Sequence, residues 1–350
     1  MMKKLFTQPM FLIGFVIIAG LLSSSFIYTA VYDDVVPQDR YIYDEDGKVV
    51  ESAPIPPSKD FWFGTDMFGF HMLHKMIIGA KYTILAALGI ALLRVLVAIP
   101  IGIIFSSYLT KYRKYLNGFI DSFHYIPLTL IAYYILFPVL WMRPEGFLYS
   151  FSERISIEVV VLTVLAVPIL AVLISNESAE VMKKDFVTSA QTLGASKFFI
   201  IRKHILPLMK EKFVIVFGQQ VVQVLLLLSH LGLMKLFFGG TVVSFDPMMG
   251  DPPTTLSMEW SGLIGDAQRF MKTAIWIPFT PILFFAISIY AVNLMTEGYT
   301  KISSGERKPK RRKHKMKEVQ NKAPKMTNQS FELKHKDKNK NKNSSQSRAV

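Results

Sequence analysis

The 350-residue sequence contains no cysteine. That excludes a disulfide framework, a thiolate zinc site and a thiol nucleophile, and it leaves no trace of a redox compartment. A broadly basic surface is missing too. The net charge of +14 is concentrated in residues 301–350, which hold 17 Lys and Arg against 4 Asp and Glu, so the remainder is nearly neutral. Basic charge confined to one tail argues against a folded nucleic-acid-binding surface. Catalytic signatures are absent as well. There is no G-x-x-x-x-G-K-[ST] phosphate loop, since Gly194-Ala-Ser-Lys197 lacks the first glycine and its spacing. H-E-x-x-H and G-x-S-x-G do not occur, and the seven His are scattered. The chain is therefore not expected to be an enzyme, to hydrolyse ATP itself, or to hold a metal or cofactor of its own.

What is abundant is apolar sequence: 51% of residues are hydrophobic and the mean hydropathy is +0.32. A bilayer core about 30 Å thick needs roughly 20 apolar residues per helix, because each backbone amide in lipid must be bonded within its own segment. Six segments meet that requirement, at about 10–31, 80–109, 119–141, 157–175, 213–233 and 274–295. The fifth is interrupted by Gln219, Gln220 and Gln223. The first has the basic start of a secretory signal, but its apolar run is long and Tyr28-Thr29-Ala30 is a poor cleavage site, so it is read as a retained helix.

Charge sets the orientation, because Lys and Arg flanking a span stay on the cytoplasmic side. Lys3 and Lys4, then Lys111, Arg113 and Lys114, then the stretch 183–212, and finally the tail all fall on one side. Asp33, Asp34, Asp44, Glu45, Asp46 and Glu51 fall on the other, with Asp246, Asp251, Glu259 and Asp266. Both termini are thus expected in the cytoplasm. The expected organisation is an N-terminal transmembrane helix (1–31), an extracellular segment (32–79), a core of five further helices (80–302) with a cytoplasmic loop at about 177–212, and a disordered Lys-rich tail (303–350). The tail is either a solvated charge run or, over 307–317, a patch attracted to anionic lipid.

The cytoplasmic loop is the most informative stretch. Residues 186–193 form a short amphipathic helix in which Ser189 and Ala190 permit close approach. Gly194 supplies a turn through positive φ. A second helix over 197–205 is stopped before Pro207. The product is a helix-turn-helix projection on the basic side, suited to transmitting a rigid-body push.

This loop resembles the "EAA loop" of ABC importer permeases, whose pattern is Glu-Ala-Ala, three residues, Gly, nine residues, Ile-x-Leu-Pro. Ala190, Gly194, Leu206 and Pro207 fit it, with Ala195 following the glycine. Thr188 stands at the Glu place, Ser189 at the first Ala and His204 at the Ile. A narrower resemblance is to the peptide and nickel branch of these permeases. Phe63-Gly-Thr-Asp66, Gly69, Leu73, Gly79, Ala80 and Leu85 match the block before its second span, whereas Phe70 and His71 replace the usual Arg-Asp. Further blocks are Ser229-His-Leu-Gly-Leu233, Met258-Glu-Trp-Ser-Gly-Leu263 and Asn293-Leu-Met-Thr-Glu-Gly298, in family order. Together they span residues 1 to about 302.

The resemblance implies an all-α integral membrane protein with the type I ABC importer permease fold and six transmembrane helices. It implies the C-type permease of a dipeptide or oligopeptide importer, forming half of a translocation pathway. Its implied partners are a homologous second permease, two cytoplasmic ATPase subunits that bind the ATP, and an extracellular substrate-binding protein, all assembled at the lipid bilayer and with no nucleic acid. Thr188, Ser189, Ala190, Gly194, Ala195, His204, Leu206 and Pro207 would then couple to the ATPase. Nickel or another small solute is the alternative cargo. An ATP-independent transporter or channel and a non-transporting scaffold are the rival classes.

Polar residues inside spans are costly and usually face a cavity or a partner helix. Gln219, Gln220 and Gln223 either line the path or bond between helices. Arg94, near the middle of the second span, needs a partner; pairing across the permease interface is preferred over binding a substrate carboxylate. Asn293 is read as a helix-packing residue. Asp66 and Trp260 are placed on the outer side, where a binding protein would dock, with a turn role for Asp66 as the alternative.

Overall fold

A computed structural model describes residues 5–110, 118, 126–245, 252–265 and 267–304. The tail expectations beyond residue 304 fall outside these. So do residues 119–125 of the third expected span, 119–141.

Ten helices order the described chain. They are α1 (Pro9–Tyr32), α2 (Met72–Ser107), α3 (Leu128–Leu140), α4 (Phe151–Met182), α5 (Asp185–Thr192), α6 (Lys197–Ile200), α7 (Leu206–Leu233), α8 (Trp260–Ile264), α9 (Ala267–Phe270) and α10 (Trp276–Ser303). A π turn, Ile201–Ile205, joins α6 to α7. Among the described residues five helices are long and apolar enough to cross a membrane: α1, α2, α4, the continuous Lys197–Leu233 helix, and α10. The apolar α3 is shorter, at 13 residues.

The helices run past the apolar windows read from sequence. Helix α4 begins six residues early because Ser150 and Glu153 form a capping box: the Glu153 N–H reaches Ser150 Oγ at 3.4 Å, and the Ser150 N–H donates to Glu153 Oε2 at 2.9 Å. The all-α expectation needs correcting in the connections. Two small antiparallel sheets occur, β1 (Tyr41–Tyr43) with β2 (Val49–Ser52), and β3 (Thr241–Val242) with β4 (Thr254–Thr255). In the first, strand-forming Tyr and Val residues flank a turn in which Asp44 accepts from the Lys48 N–H at 2.8 Å.

The core lies where α2, α4, α7 and α10 meet, and α1 packs on α10 and α2. Without a hydrophobic drive between helices in lipid, close backbone approach through small residues supplies the packing. At Gly102 of α2 an added Cβ would sit 2.6 Å from the Ala171 carbonyl oxygen of α4. The bundle therefore has two ends. The starts of α1 and α7 and the finishes of α2, α4 and α10 form a basic end. The opposite, acidic end carries 33–71, 234–245, 252–265 and 267–275.

Candidate functional site

At the basic end, α5 and α6 form an elbow. Asp185 opens α5, where a carboxylate favours the helix N-terminus. Its single inward residue, Val187, packs with Val181, Ile200, Ile205 and Met209. The helix is closed by a Schellman motif. The Gly194 N–H donates to the Gln191 carbonyl at 2.9 Å, and the Ala195 N–H donates to the Ala190 carbonyl at 3.0 Å. Gly194 holds φ at +86°, with open space where a Cβ would be. Ser196 then caps α6, its Oγ accepting from the Phe199 N–H at 3.3 Å.

The glycine turn is where the sequence placed it, but the end of the second helix is not. The chain does not stop before Pro207; it continues through the π turn into α7 as one 37-residue helix. A proline inside a regular helix lacks an N–H and clashes with the carbonyl four residues back. Here the Leu206 N–H reaches the Ile201 carbonyl, five residues back, so the widened turn relieves that clash. Pro207 sits at the first turn of α7, where its missing donor is tolerated.

The eight expected coupling residues do gather on this elbow. Thr188 Oγ1 donates to the Lys184 carbonyl at 3.3 Å and Ser189 Oγ to the Asp185 carbonyl at 2.8 Å, so both hydroxyls are used within α5. Ala190 and Ala195 are half-buried, while Leu206 and Pro207 are exposed. His204 bridges the two arms, its ring 5.7 Å from that of Phe186 and 6.1 Å from that of Phe199. The outer surface carries an apolar set among its charged and polar side chains: Phe186, Phe198 and Phe199 are exposed, and Leu193 is 88% exposed.

The intramembrane polar residues separate into two groups. Arg94 is 1% exposed. Its Nε and Nη2 donate to the Leu162 carbonyl of α4 at 2.9 and 2.7 Å, and Nη1 donates to Gln220 Oε1 at 3.4 Å. Gln220 Nε2 passes the chain to Gln223 Oε1 at 3.0 Å. The expected pairing across a subunit interface is thus replaced by pairing inside this chain, because α2, α4 and α7 bury the guanidinium between them. Gln220 and Gln223 edge a cleft of about 320 Å³ whose other walls include Leu128, Ala166, Leu173 and Asn176. Gln219 and Asn293 are exposed and do not join this network, so Asn293 is not a packing residue within the chain.

At the acidic end the sequence reading missed a second buried network. Glu158 is 1% exposed and accepts from the Gly239 N–H at 2.9 Å. One turn earlier, Arg154 Nε donates to the Gly239 carbonyl at 2.8 Å, with its guanidinium 3.6 Å above the Phe147 ring. A lone carboxylate inside an apolar span was the available signal. Glu259 caps α8, accepting from the N–H groups of Ser261 and Gly262, both at 2.8 Å, and from Ser261 Oγ at 2.6 Å. Burial pushes its carboxyl up to about 7, against the downward pull of those hydrogen bonds.

Trp260 is fully buried, with its N–H on Thr83 Oγ1 at 3.0 Å and its indole N–H on the Met76 carbonyl at 2.9 Å. It is therefore no docking surface. Instead it fixes the 258–263 block against the 63–85 block, at Gly79, whose missing Cβ leaves room for the Met258 carbonyl and the indole. Asp66 takes the turn role, accepting from the Phe68 and Phe70 N–H groups at 2.9 Å each while paired with Lys75.

Residues 98–304, which hold the last turns of α2, the elbow and the α7 to α10 region, match the family model described as binding-protein-dependent transport system inner membrane component. Among curated proteins the chain is similar to the dipeptide transport system permease protein of Bacillus subtilis (strain 168), 26% identical over 247 residues, covering 70% of this chain and 68% of the relative. It is also similar to a glutathione transport system permease protein of Escherichia coli O1:K1 / APEC, 22% identical over 242 residues, covering 69% and 71% respectively. The helical bundle, its basic elbow and a family match over more than half the sequence converge: this chain belongs to the binding-protein-dependent transport inner membrane components and is the membrane permease component of an ABC importer.

Proposed function

We propose that this permease imports peptides, using the α5–α6 elbow to receive motion from a separate ATPase. The observation that carries the reading is the elbow itself: a sharply closed helix pair at the basic end that exposes Leu193, Phe186 and Phe198 among basic side chains such as Lys184, Lys197 and Lys203. Exposed apolar groups of this kind mark a site for a protein partner. In this reading the chain crosses the membrane six times, α3 being part of the third crossing, and both termini and the elbow are cytoplasmic, as the basic residues at that end favour. Residues 1–31 form the first crossing, 32–79 an extracellular segment, 80–302 the core, and 303–350 a cytoplasmic tail.

The partners are a homologous second permease completing the pathway, two ATPase subunits at the elbows, and an extracellular binding protein that delivers cargo. Peptide cargo is supported by the dipeptide and glutathione systems of the relatives. It is also supported by the cleft beside Gln220, Gln223 and Asn176, whose side-chain amides match the donors and acceptors of a peptide backbone without demanding a particular side chain. Arg94 acts there as a positioning residue for Gln220.

Leu193→Asp tests the coupling. The exposed position tolerates the change structurally, so the permease should still assemble in the membrane while the ATPase no longer co-purifies and ATP-driven uptake of a labelled dipeptide is lost. Uptake that persists in the variant, or in wild type after complete ATP depletion, would overturn the proposal.

A further inference from the structure

We propose that the groove between α1, α2 and α4 is a binding site for one acyl chain of a phospholipid in the leaflet at the acidic end, the outer leaflet under the orientation proposed above. The groove holds about 430 Å³. Phe26 of α1, Leu85 and Leu93 of α2, Ile155 of α4 and Phe238 line it, all apolar. From Lys81 to Leu93 it follows α2 for about 18 Å at 1.5 Å per residue. Half of a bilayer core is about 15 Å. The groove is therefore as long as one leaflet is deep.

Its single charged lining residue marks the interfacial level. Lys81 Nζ pairs with Asp34 Oδ2 at 2.6 Å and also donates to Thr29, at the end of the groove nearest the acidic face. Apart from Tyr82, beside Lys81 in sequence, the remaining walls are hydrocarbon, which suits a lipid tail and not a hydrated solute.

A second observation is Gly89, midway along the groove. Glycine inside a helix weakens it relative to alanine. Two other glycines of α2 meet a need for room: Gly79 faces the Met258 carbonyl and Gly102 faces Ala171, each where a Cβ would collide. At Gly89 nothing among the described residues lies within 4 Å of an added Cβ. The space it leaves is not used by the packing of the described residues, and an acyl chain fills it.

The test uses the full transporter in vesicles containing phosphatidylglycerol with a photoactivatable diazirine at mid-chain. Illumination should label peptides containing residues 85–93 and 155–159 above other lipid-facing segments, and Gly89→Leu should abolish that enrichment. Gly20→Leu is the matched control, because Gly20 of α1 is equally open but lies outside the groove; it should leave labelling unchanged. Gly89→Ala, a smaller filling, keeps the comparison if the leucine variant assembles poorly. Uniform labelling of all lipid-facing helices, or enrichment that survives Gly89→Leu, would overturn the proposal. So would crosslinking of the Gly89→Cys variant to the second permease, which would put a protein helix in the groove. None of these readouts depends on ATP-driven uptake, so the site and the proposed function fail separately.

Discussion

The two ends of the bundle differ in how completely the chain satisfies its own surface. At the acidic end, Trp260, Glu259, Glu158, Arg154 and Asp66 all find partners within the chain, and Trp276 donates its indole N–H to the Thr65 carbonyl at 2.9 Å. At the basic end, the elbow buries only Val187 of α5 and leaves Phe186, Leu193, Phe198 and Phe199 in the open. Folding completes these buried partners of the first end, although Trp62 there stays 73% exposed and Val35 67%; the elbow's apolar side chains are left for assembly. Damage at the acidic end should therefore register as lost stability, and damage at the elbow as lost coupling in a stable protein.

Trp260→Ala should break the acidic end most severely. Removing a fully buried indole together with its hydrogen bond to Met76 should cost about 3–5 kcal/mol, read as a lower thermal midpoint in detergent and less protein in the membrane. A stable Trp260→Ala variant with impaired binding-protein docking would show instead that this end is a docking surface.

Glu259 gives the acidic end a pH dependence. Its carboxyl titrates at about 7 when folded, against an ordinary value of 4.5, so the folded state holds the proton more tightly. The favourable contribution is full below about pH 4.5 and is lost as pH rises through 7. Thermal stability should fall from about pH 5 to about pH 8, and Glu259→Gln, which keeps the size and an acceptor, should flatten that fall. An unchanged profile in the variant would assign the dependence elsewhere.

The elbow should respond in the other manner. Gly194→Val places a β-branched residue at φ +86°, costing about 1–2 kcal/mol locally. Nothing crowds that position, so the bundle should keep its thermal midpoint while the ATPase binds more weakly by a factor of roughly 5–30. Equal loss of stability and coupling would erase the contrast between the ends.

These differences track what the sequence could reveal. Local signals were legible: the glycine turn at Gly194, the apolar windows of α1, α2, α4 and α10, and the basic flanks all rest on neighbours in the chain. Long-range contacts were not. Pairing Trp260 with Met76 and Thr83, or both backbone groups of Gly239 with Arg154 and Glu158, depends on helices far apart in sequence. The same limit misdirected Arg94, whose need for a partner was readable while the Leu162 carbonyl was not. Proline misled for a local reason: its clash predicts a stop, and only the π turn shows how the helix passes it.

The smallest effect should come from that proline. On a regular helix, residues five apart lie about 0.4 of a turn out of line, yet Ile200 and Ile205 are both buried in one cluster with Met209. The π turn brings them into register, so packing, rather than the ring of Pro207, holds it. Pro207→Ala should then change stability by less than about 1 kcal/mol, mainly through the greater freedom of the unfolded chain, and leave peptide uptake intact. Shortening the turn by deleting Lys203 should instead rotate α5 and α6 against α7 and uncouple transport. If Pro207→Ala stabilised the protein by several times that amount, the ring would be imposing the turn against the packing, and the elbow would owe its position to strain.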